Sequence, residues 1–332
     1  MRRTVAAAAM IIAAALIFTS CTSSAEKHTE EFYSMDTFMR LTVYGDAGEA
    51  KAAKEIILKC EEMYGTNCPG GEVWRLNNGE AVLNPSQGLT DMLMAAGEMN
   101  VLSGGKYDLT VLPLMRLWGF AGDGGFCVPS EEELRDALQS VGMDGVRIEN
   151  GAAALENRLI DLGSCAKGYA ANEAAKYLKN AGVECAVLTL GGNVQTVGRK
   201  PDGGDFVIGI ANPFEPQALL GTLRVGECAV VTSGTYQRYF ETDGKVYSHI
   251  IDATTGYPCD SGLVSVTVIC PDGMKADMLS TVLMLIGLDG LNSMYSDVGG
   301  FEAVAVSASG DVSVTPGIEE RFTLSDNYSA AN

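Results

Sequence analysis

Two of the 332 residues are histidine, His28 and His249. His249 stands in KVYSHIIDATTGYP (245–258), between a tyrosine-bearing strand and a polar turn made by Asp252, Thr254 and Thr255. An imidazole held near neutral pKa in that setting can act as general acid or base, although a lone histidine more often packs. Asp277 and Thr281, in ADMLSTVLMLIG, lie four apart and share one face of a helix. A carboxylate stacked on a hydroxyl is a pair of hard oxygen donors of the kind magnesium or calcium takes. Alone, such a pair more often caps and packs. DLGSCAKGYA (161–170) passes from a strand through Gly163 into a helix, where exposed N–H groups and Lys167 suit phosphate oxygens. It is not a P-loop, because GxxxxGK[ST] is absent. LTLGGNVQTVG (188–198) puts Gly191, Gly192 and Asn193 after an apolar strand, which suits a tight turn or close approach to a flat ligand. Tyr107, Trp118 and Phe120 surround Pro113 and read as core, or as the flanks of a ring system.

These residues need a scaffold, and the chain supplies alternating strands and helices. MDTFMRLTVYG (35–45) has strand periodicity, and AGEAKAAKEIILKCEEMYG puts Ile56, Ile57, Cys60, Met63 and Tyr64 on one helical face. LTDMLMAAGEMNVLSGG is a second amphipathic helix closed by glycines. PSEEELRDAL opens a third, with Ser130 as its cap and acids in its first turn. A helix at CAKGYAANEAAKYLKNAG leads to the strands ECAVLTLGG, DFVIGIAN and QALLGTLRVG. LVSVTVIC precedes the Asp277 helix, and EAVAVSASGDVSVTP closes the chain as a hairpin. The regular βαβ rhythm of a doubly wound sheet is missing, so the expected class is α+β.

The N-terminus reads as an export signal: MRR, an apolar run too short for a membrane span, then FTSC. FTSC resembles a lipoprotein processing site, which predicts a signal over 1–20 and a lipid anchor at Cys21 facing the extracytoplasmic side. A polar tether over 21–31, one folded domain over 32–320 and a tail over 321–332 follow. The formal net charge is −19, and loss of Arg2 and Arg3 with the signal makes the remainder more negative. Such acidity excludes nucleic acid as a partner and disfavours polyanions unless a metal or backbone dipoles compensate. Eight cysteines remain after Cys21, none in a CxxC pair. Disulfides and buried free thiols both fit an exported protein, while a cysteine–histidine zinc site does not.

Seven collinear blocks, MDTFMRLTVYG, GGEVWRLN, GGKYDLTVLPLMRLWGF, IDLGSCAKGYAANEAAKYL, LTLGGNVQTVG, VVTSGTYQRYFETDGKVYSHIIDATTGYP and ADMLSTVLMLIGLDG, together resemble the FAD:protein FMN transferases of the ApbE type. The resemblance runs from about residue 32 to 315. It implies a T-fold-like α+β core around a deep flavin-binding cleft. It also implies an enzyme that binds FAD with Mg2+, cleaves the pyrophosphate and joins FMN to a threonine of an acceptor protein, releasing AMP. The implied acceptors are membrane electron-transfer subunits or exported flavoproteins. Residue by residue, Asp277, Thr281 and the main-chain carbonyl of Ala166 match metal ligands. Ser280 stands where some members carry a further acidic ligand. Met35, Tyr107, Asp108, Ser164, Lys167, Asn193 and Ile251 match positions that contact FAD, and His249 matches the proposed base. CPGGEVWRLN lacks the usual aspartate–serine before its glutamate, and Cys165 replaces an aliphatic residue that packs. The same residues would serve a magnesium-dependent FAD pyrophosphatase giving FMN and AMP, or, without catalysis, a flavin-binding lipoprotein.

Overall fold

The computed structural model describes residues 26–122, 124–215 and 217–328. β1 (Lys27–Ser34) and β2 (Thr37–Tyr44) form a hairpin closed by Met35 and Asp36, whose φ values are 49° and 57°. Two positive φ angles give the mirror-image turn that matches strand twist, at a cost for side chains with a Cβ. Glu61 holds that turn in place. Its carboxylate accepts from Met35 N at 2.8 Å and from Ser34 Oγ at 2.7 Å.

Next come α1 (Ala47–Tyr64), α2 (Glu72–Asn77), β3 (Val82–Leu83), α3 (Gln87–Leu102), α4 (Leu112–Leu117) and α5 (Glu131–Leu138). The hairpin of β4 (Val146–Glu149) and β5 (Ala152–Leu155) precedes α6 (Ala166–Asn180). β6 (Cys185–Leu190), β7 (Asn193–Gly198), β8 (Phe206–Ala211), β9 (Leu219–Val225) and β10 (Ala229–Gly234) follow in succession. The short hairpin of β11 (Tyr239–Thr242) and β12 (Lys245–Ser248) leads to β13 (Leu263–Cys270) and α7 (Gly273–Asp297). β14 (Glu302–Ser307), β15 (Val312–Val314) and β16 (Phe322–Leu324) end the described chain.

The main sheet has the order β1-β2-β6-β7-β10-β13-β14-β15, and every neighbouring pair is antiparallel. Purely antiparallel pairing needs no crossover helices, which is why the sequence lacks a βαβ rhythm. Both faces of the sheet are covered. Val266 and Val268 of β13 pack with Ile57 of α1, Ala174 of α6 and Leu279 and Leu283 of α7. Ile269, Val304 and Val306 face the other way and pack with Phe206, Leu220 and Leu223 of the small β16-β9-β8 sheet. A third cluster, of Leu114, Trp118, Phe120, Leu134 and Ile251, seats the β11–β12 hairpin through Phe240 and Tyr247.

Three expectations change at the ends of the chain. The tether expected over 21–31 is already β1 from Lys27, paired with β2. Its outward Lys27, Thr29 and Glu31 are polar as suits an edge strand, where polar side chains guard an unpaired backbone. His28 therefore lies in the folded body, half-buried on β1, and not in the tether expected over 21–31. The tail expected over 321–332 includes β16, paired with β9, and Tyr328, whose hydroxyl donates to Gly310 O at 2.7 Å. The signal and Cys21 lie outside the described residues. Among those described, no helix is long and apolar enough to cross a membrane, and the eight cysteines are free thiols.

Candidate active site

The site is organised by the crossing of α6 and α7. A Cβ on Gly168 would lie 2.2 Å from Gly273 O and 2.8 Å from Asp277 Cβ, so glycine alone permits this approach. Asp272 caps α7 by accepting from Lys275 N at 2.9 Å, and Asn172 of α6 bridges it to the Gly273 N–H. The crossing brings Asp277, 4% exposed, to the amino end of α6. Its Oδ2 accepts the Gly168 N–H at 2.9 Å, where the helix dipole favours a negative charge. Oδ1 takes no hydrogen bond from the described residues. Thr281 lies one turn further along α7 and is half-buried. Ser280 is fully buried: its hydroxyl donates to Asp277 O at 2.8 Å and lies 2.7 Å from Ser233 Oγ on β10. Its proton and one lone pair are thus engaged within the protein. Ala166 opens α6 beside this group.

The segment before α6 is extended without being a paired strand. Asn77 takes a partner strand's place, its side-chain amide bonding both Ile160 N (2.8 Å) and Ile160 O (2.9 Å). After Gly163, the N–H groups of Ser164 and Lys167 find no acceptor among the described residues. Lys167 is half-buried and donates from Nζ to Gly163 O at 2.7 Å. Ser164 Oγ meets Tyr107 Oη at 2.9 Å. Burial pushes the Tyr107 phenol well above its ordinary pKa, so it is neutral. Asp108 is also buried. It accepts from Thr110 N and Oγ1, Met143 N and Asn100 Nδ2, which fixes the loop around Tyr107. Cys165 packs in the core, as its place in the sequence implied.

At the edge of the same region the β6–β7 hairpin turns through Gly191 and Gly192. Asn193 is 3% exposed, and its Nδ2 has no hydrogen-bond partner. A Cβ on Gly191 would lie 2.7 Å from Thr37 Oγ1, so this turn abuts the one carrying Met35. Ile251 sits apart from the Asp277 group. It is buried against Leu114, Trp118 and Phe120 and forms a single bridge with Pro258.

His249 follows β12 and is half-buried, with Phe120 beside its ring at 6.4 Å. Its Nδ1 lies 3.1 Å from Arg238 O. A carbonyl only accepts, so Nδ1 carries the proton and Nε2 is left as the basic nitrogen. Desolvation, then the Arg238 guanidinium, and more weakly the Lys167 ammonium lower its pKa to about 4. Asp252 is engaged elsewhere, in a turn with Thr254 and an ion pair with Lys106 at 3.3 Å.

Sequence reasoning passed over three contributors. Ser233 and Arg238 lie in the block VVTSGTYQRYF, and only the fold brings them to Ser280 and His249. Glu61 carries no local sign that it serves a turn 26 residues earlier. A separate concavity of about 440 Å³ lies between α5 and the 252–257 turn, lined by Leu134, Leu138, Thr255 and Tyr257 among others. None of the Asp277 group lines it.

An antiparallel sheet backed by helices, with an oxygen-rich group at the α6–α7 crossing and a half-buried histidine after β12, gives an α+β fold with the makings of an active site. The chain belongs to the ApbE family, whose sequence profile matches residues 35–305. It is 31% identical over 289 residues to the FAD:protein FMN transferase of Klebsiella pneumoniae (strain 342), covering 85% of this chain and 89% of that protein. Identity to the FAD:protein FMN transferase of Escherichia coli (strain K12) is 29% over 301 residues, 83% and 86% of the two chains. The crystal structure of the ApbE protein from Thermotoga maritima superposes with a TM-score of 0.80 at 29% identity, over 88% of this chain and 98% of that one. The flavin transferase ApbE from Vibrio cholerae gives a TM-score of 0.80 at 26% identity, over 90% and 99%.

Proposed function

We propose that this enzyme transfers FMN from FAD to a threonine hydroxyl of an acceptor protein in a magnesium-dependent reaction that releases AMP. The observation that carries the reading is the meeting of Asp277 with the amino end of α6. A buried carboxylate, half satisfied by the Gly168 N–H, stands there beside the Thr281 hydroxyl and the free N–H groups of Ser164 and Lys167. An acidic protein needs such a local concentration of donors to hold two phosphates.

The donor set fits magnesium. Asp277 Oδ1, Thr281 Oγ1 and the Ala166 carbonyl are all oxygens, and one carboxylate with few neutral donors suits an ion whose shell is completed by substrate phosphates and water. Asp277, Thr281 and Ala166 would hold it, with Ser280 behind them. The ion would supply Lewis-acid stabilisation of charge on the pyrophosphate. Lys167 and the two N–H groups would bind phosphate oxygens. The unpaired Asn193 Nδ2 supports a ligand oxygen nearby, because a buried donor without an acceptor costs about 1–3 kcal/mol. Met35 and Ile251 would border the flavin cleft, with Tyr107, Ser164 and Asp108 shaping its floor.

In the reaction the threonine oxygen attacks the FMN-side phosphorus and its proton passes to His249 Nε2. The bond from that phosphorus to the bridging oxygen breaks, and AMP leaves with that oxygen. The low pKa keeps His249 unprotonated at neutral pH and ready to accept. Bound phosphates would offset the cations that disfavour its imidazolium. We further read residues 1–20 as a lipoprotein signal, Cys21 as the anchor on the outer side of the cytoplasmic membrane, and the acceptor as a membrane electron-transfer subunit or exported flavoprotein. Incubation with FAD, magnesium and such an acceptor should release AMP and modified acceptor in equal amounts, and chelation should stop both. AMP with free FMN would mark a pyrophosphatase, and absence of AMP a flavin carrier.

A further inference from the structure

We infer that Ser233 is a positioning residue for the metal-binding face of α7, acting through the Thr281 hydroxyl. The inference rests on the metal reading above. Three hydroxyls and one carbonyl form a chain at the β10–α7 contact: Asp277 O, Ser280 Oγ at 2.8 Å, Ser233 Oγ at 2.7 Å from Ser280, and Thr281 Oγ1 at 3.5 Å from Ser233.

The direction of this chain follows from one fact. The Asp277 carbonyl can only accept, so the Ser280 proton is spent on it. The 2.7 Å contact must then be bridged by the Ser233 proton. Ser233 keeps only lone pairs for Thr281, so the Thr281 proton is drawn toward β10 and its own lone pairs are left for the side it shares with Asp277 Oδ1. At 3.5 Å this last contact is weak. It should shorten when a cation polarises the Thr281 oxygen, because hydrogen-bonded chains strengthen one another.

β10 is a firm support for this role, paired with β13 through Ser233↔Val266 and with β7 on its other edge. Partners of this kind, one step behind a ligand, commonly change metal affinity about 10–100-fold when removed. A serine that only packs would change stability and leave affinity alone.

The test is Mn2+ binding to the flavin-free protein, followed by electron paramagnetic resonance, so no turnover is needed. Wild type should bind Mn2+ and Asp277→Ala should abolish binding; if either fails, the metal reading and this inference fall together. With both in place, Ser233→Ala should weaken binding about 10-fold or more at an unchanged melting temperature, and Ser233→Thr should restore it. In a Thr281→Ala background, Ser233→Ala should add less than twofold. Affinity within twofold of wild type in Ser233→Ala, or full multiplication of the two effects, would overturn the role of Ser233 while leaving the metal site standing. Should Ser233→Ala fail to fold, the same coupling is read between Ser233→Cys and Thr281→Ala: less than twofold added supports the role, and full multiplication overturns it.

Discussion

Gly168 donates its main-chain N–H to the Asp277 carboxylate at 2.9 Å, across 109 residues of sequence. One hydrogen bond thereby fixes the amino end of α6, a candidate phosphate site, against the α7 face that carries the candidate metal ligands. Binding of both groups depends on that crossing holding its distance.

Gly168→Ala should therefore damage fold and site together. Its Cβ would meet main-chain Gly273 O at 2.2 Å, a contact no side-chain rotation can relieve. Forcing the helices apart should cost about 1–3 kcal/mol, visible as a lower melting temperature, with flavin transfer reduced in step. An unchanged melting temperature would mean that α6 and α7 do not meet this closely.

Asp277→Asn separates charge from architecture. The amide oxygen can still accept from Gly168 N–H, so stability should hold, but a neutral ligand holds magnesium poorly. Transfer at limiting magnesium should fall by about 10²-fold or more, since Lewis-acid stabilisation is worth several kcal/mol. Wild-type rates under those conditions would remove Asp277 from the metal site.

The pH dependence follows from His249. With its pKa lowered to about 4, the basic form is present above that value and is lost below it. In the free enzyme, kcat/KM should be flat with respect to this group from about pH 5 upward and fall below about pH 4. A histidine at its reference value of about 6.5 would instead give a rising limb near neutrality. In the complex, phosphate charge should raise the pKa, so the kcat limb should lie above the kcat/KM limb. His249→Ala should cut turnover by roughly 10²–10⁴-fold and abolish both limbs. A packing role predicts modest activity loss, a lower melting temperature and an unchanged profile.

If Cys21 carries the proposed lipid, Cys21→Ala should leave the protein unprocessed or release it from the membrane, since the lipid would be its anchor. Cell fractionation reads this directly. Equal membrane retention would rule out the lipoprotein signal.

The parts of the candidate site that could be read from sequence are those whose geometry is local. The Asp277–Thr281 pair follows from helical spacing, the α6 end from Gly163 and Lys167, and the Ser130 cap of α5 from its place before an acidic first turn, although the reciprocal bond from Glu133 was not read there. What the sequence could not display are contacts made by folding. Ser233 and Ser280 are 47 residues apart, and Arg238 reaches His249 across the β11–β12 hairpin. The His249 pKa is set by that burial and by two distant cations, so a reading from its neighbours alone put it near neutral. Edge strands misled for another reason: β1 turns Lys27, Thr29 and Glu31 to solvent, and β16 is only three residues long, so they read as tether and tail.

FMN transfer from FAD to a threonine of another protein, with Asp277 and His249 both required, leaves a direct mark on the acceptor. Intact mass and peptide mapping of a candidate acceptor after incubation with the protein, FAD and magnesium test it most directly. The acceptor should gain the mass of one FMN, mapped to a single threonine, and the gain should be lost when that threonine becomes valine and when Asp277→Asn or His249→Ala replaces the wild-type enzyme. An unmodified acceptor alongside FAD fully converted to FMN and AMP would contradict it, as would modification that persists in the Asp277→Asn and His249→Ala proteins.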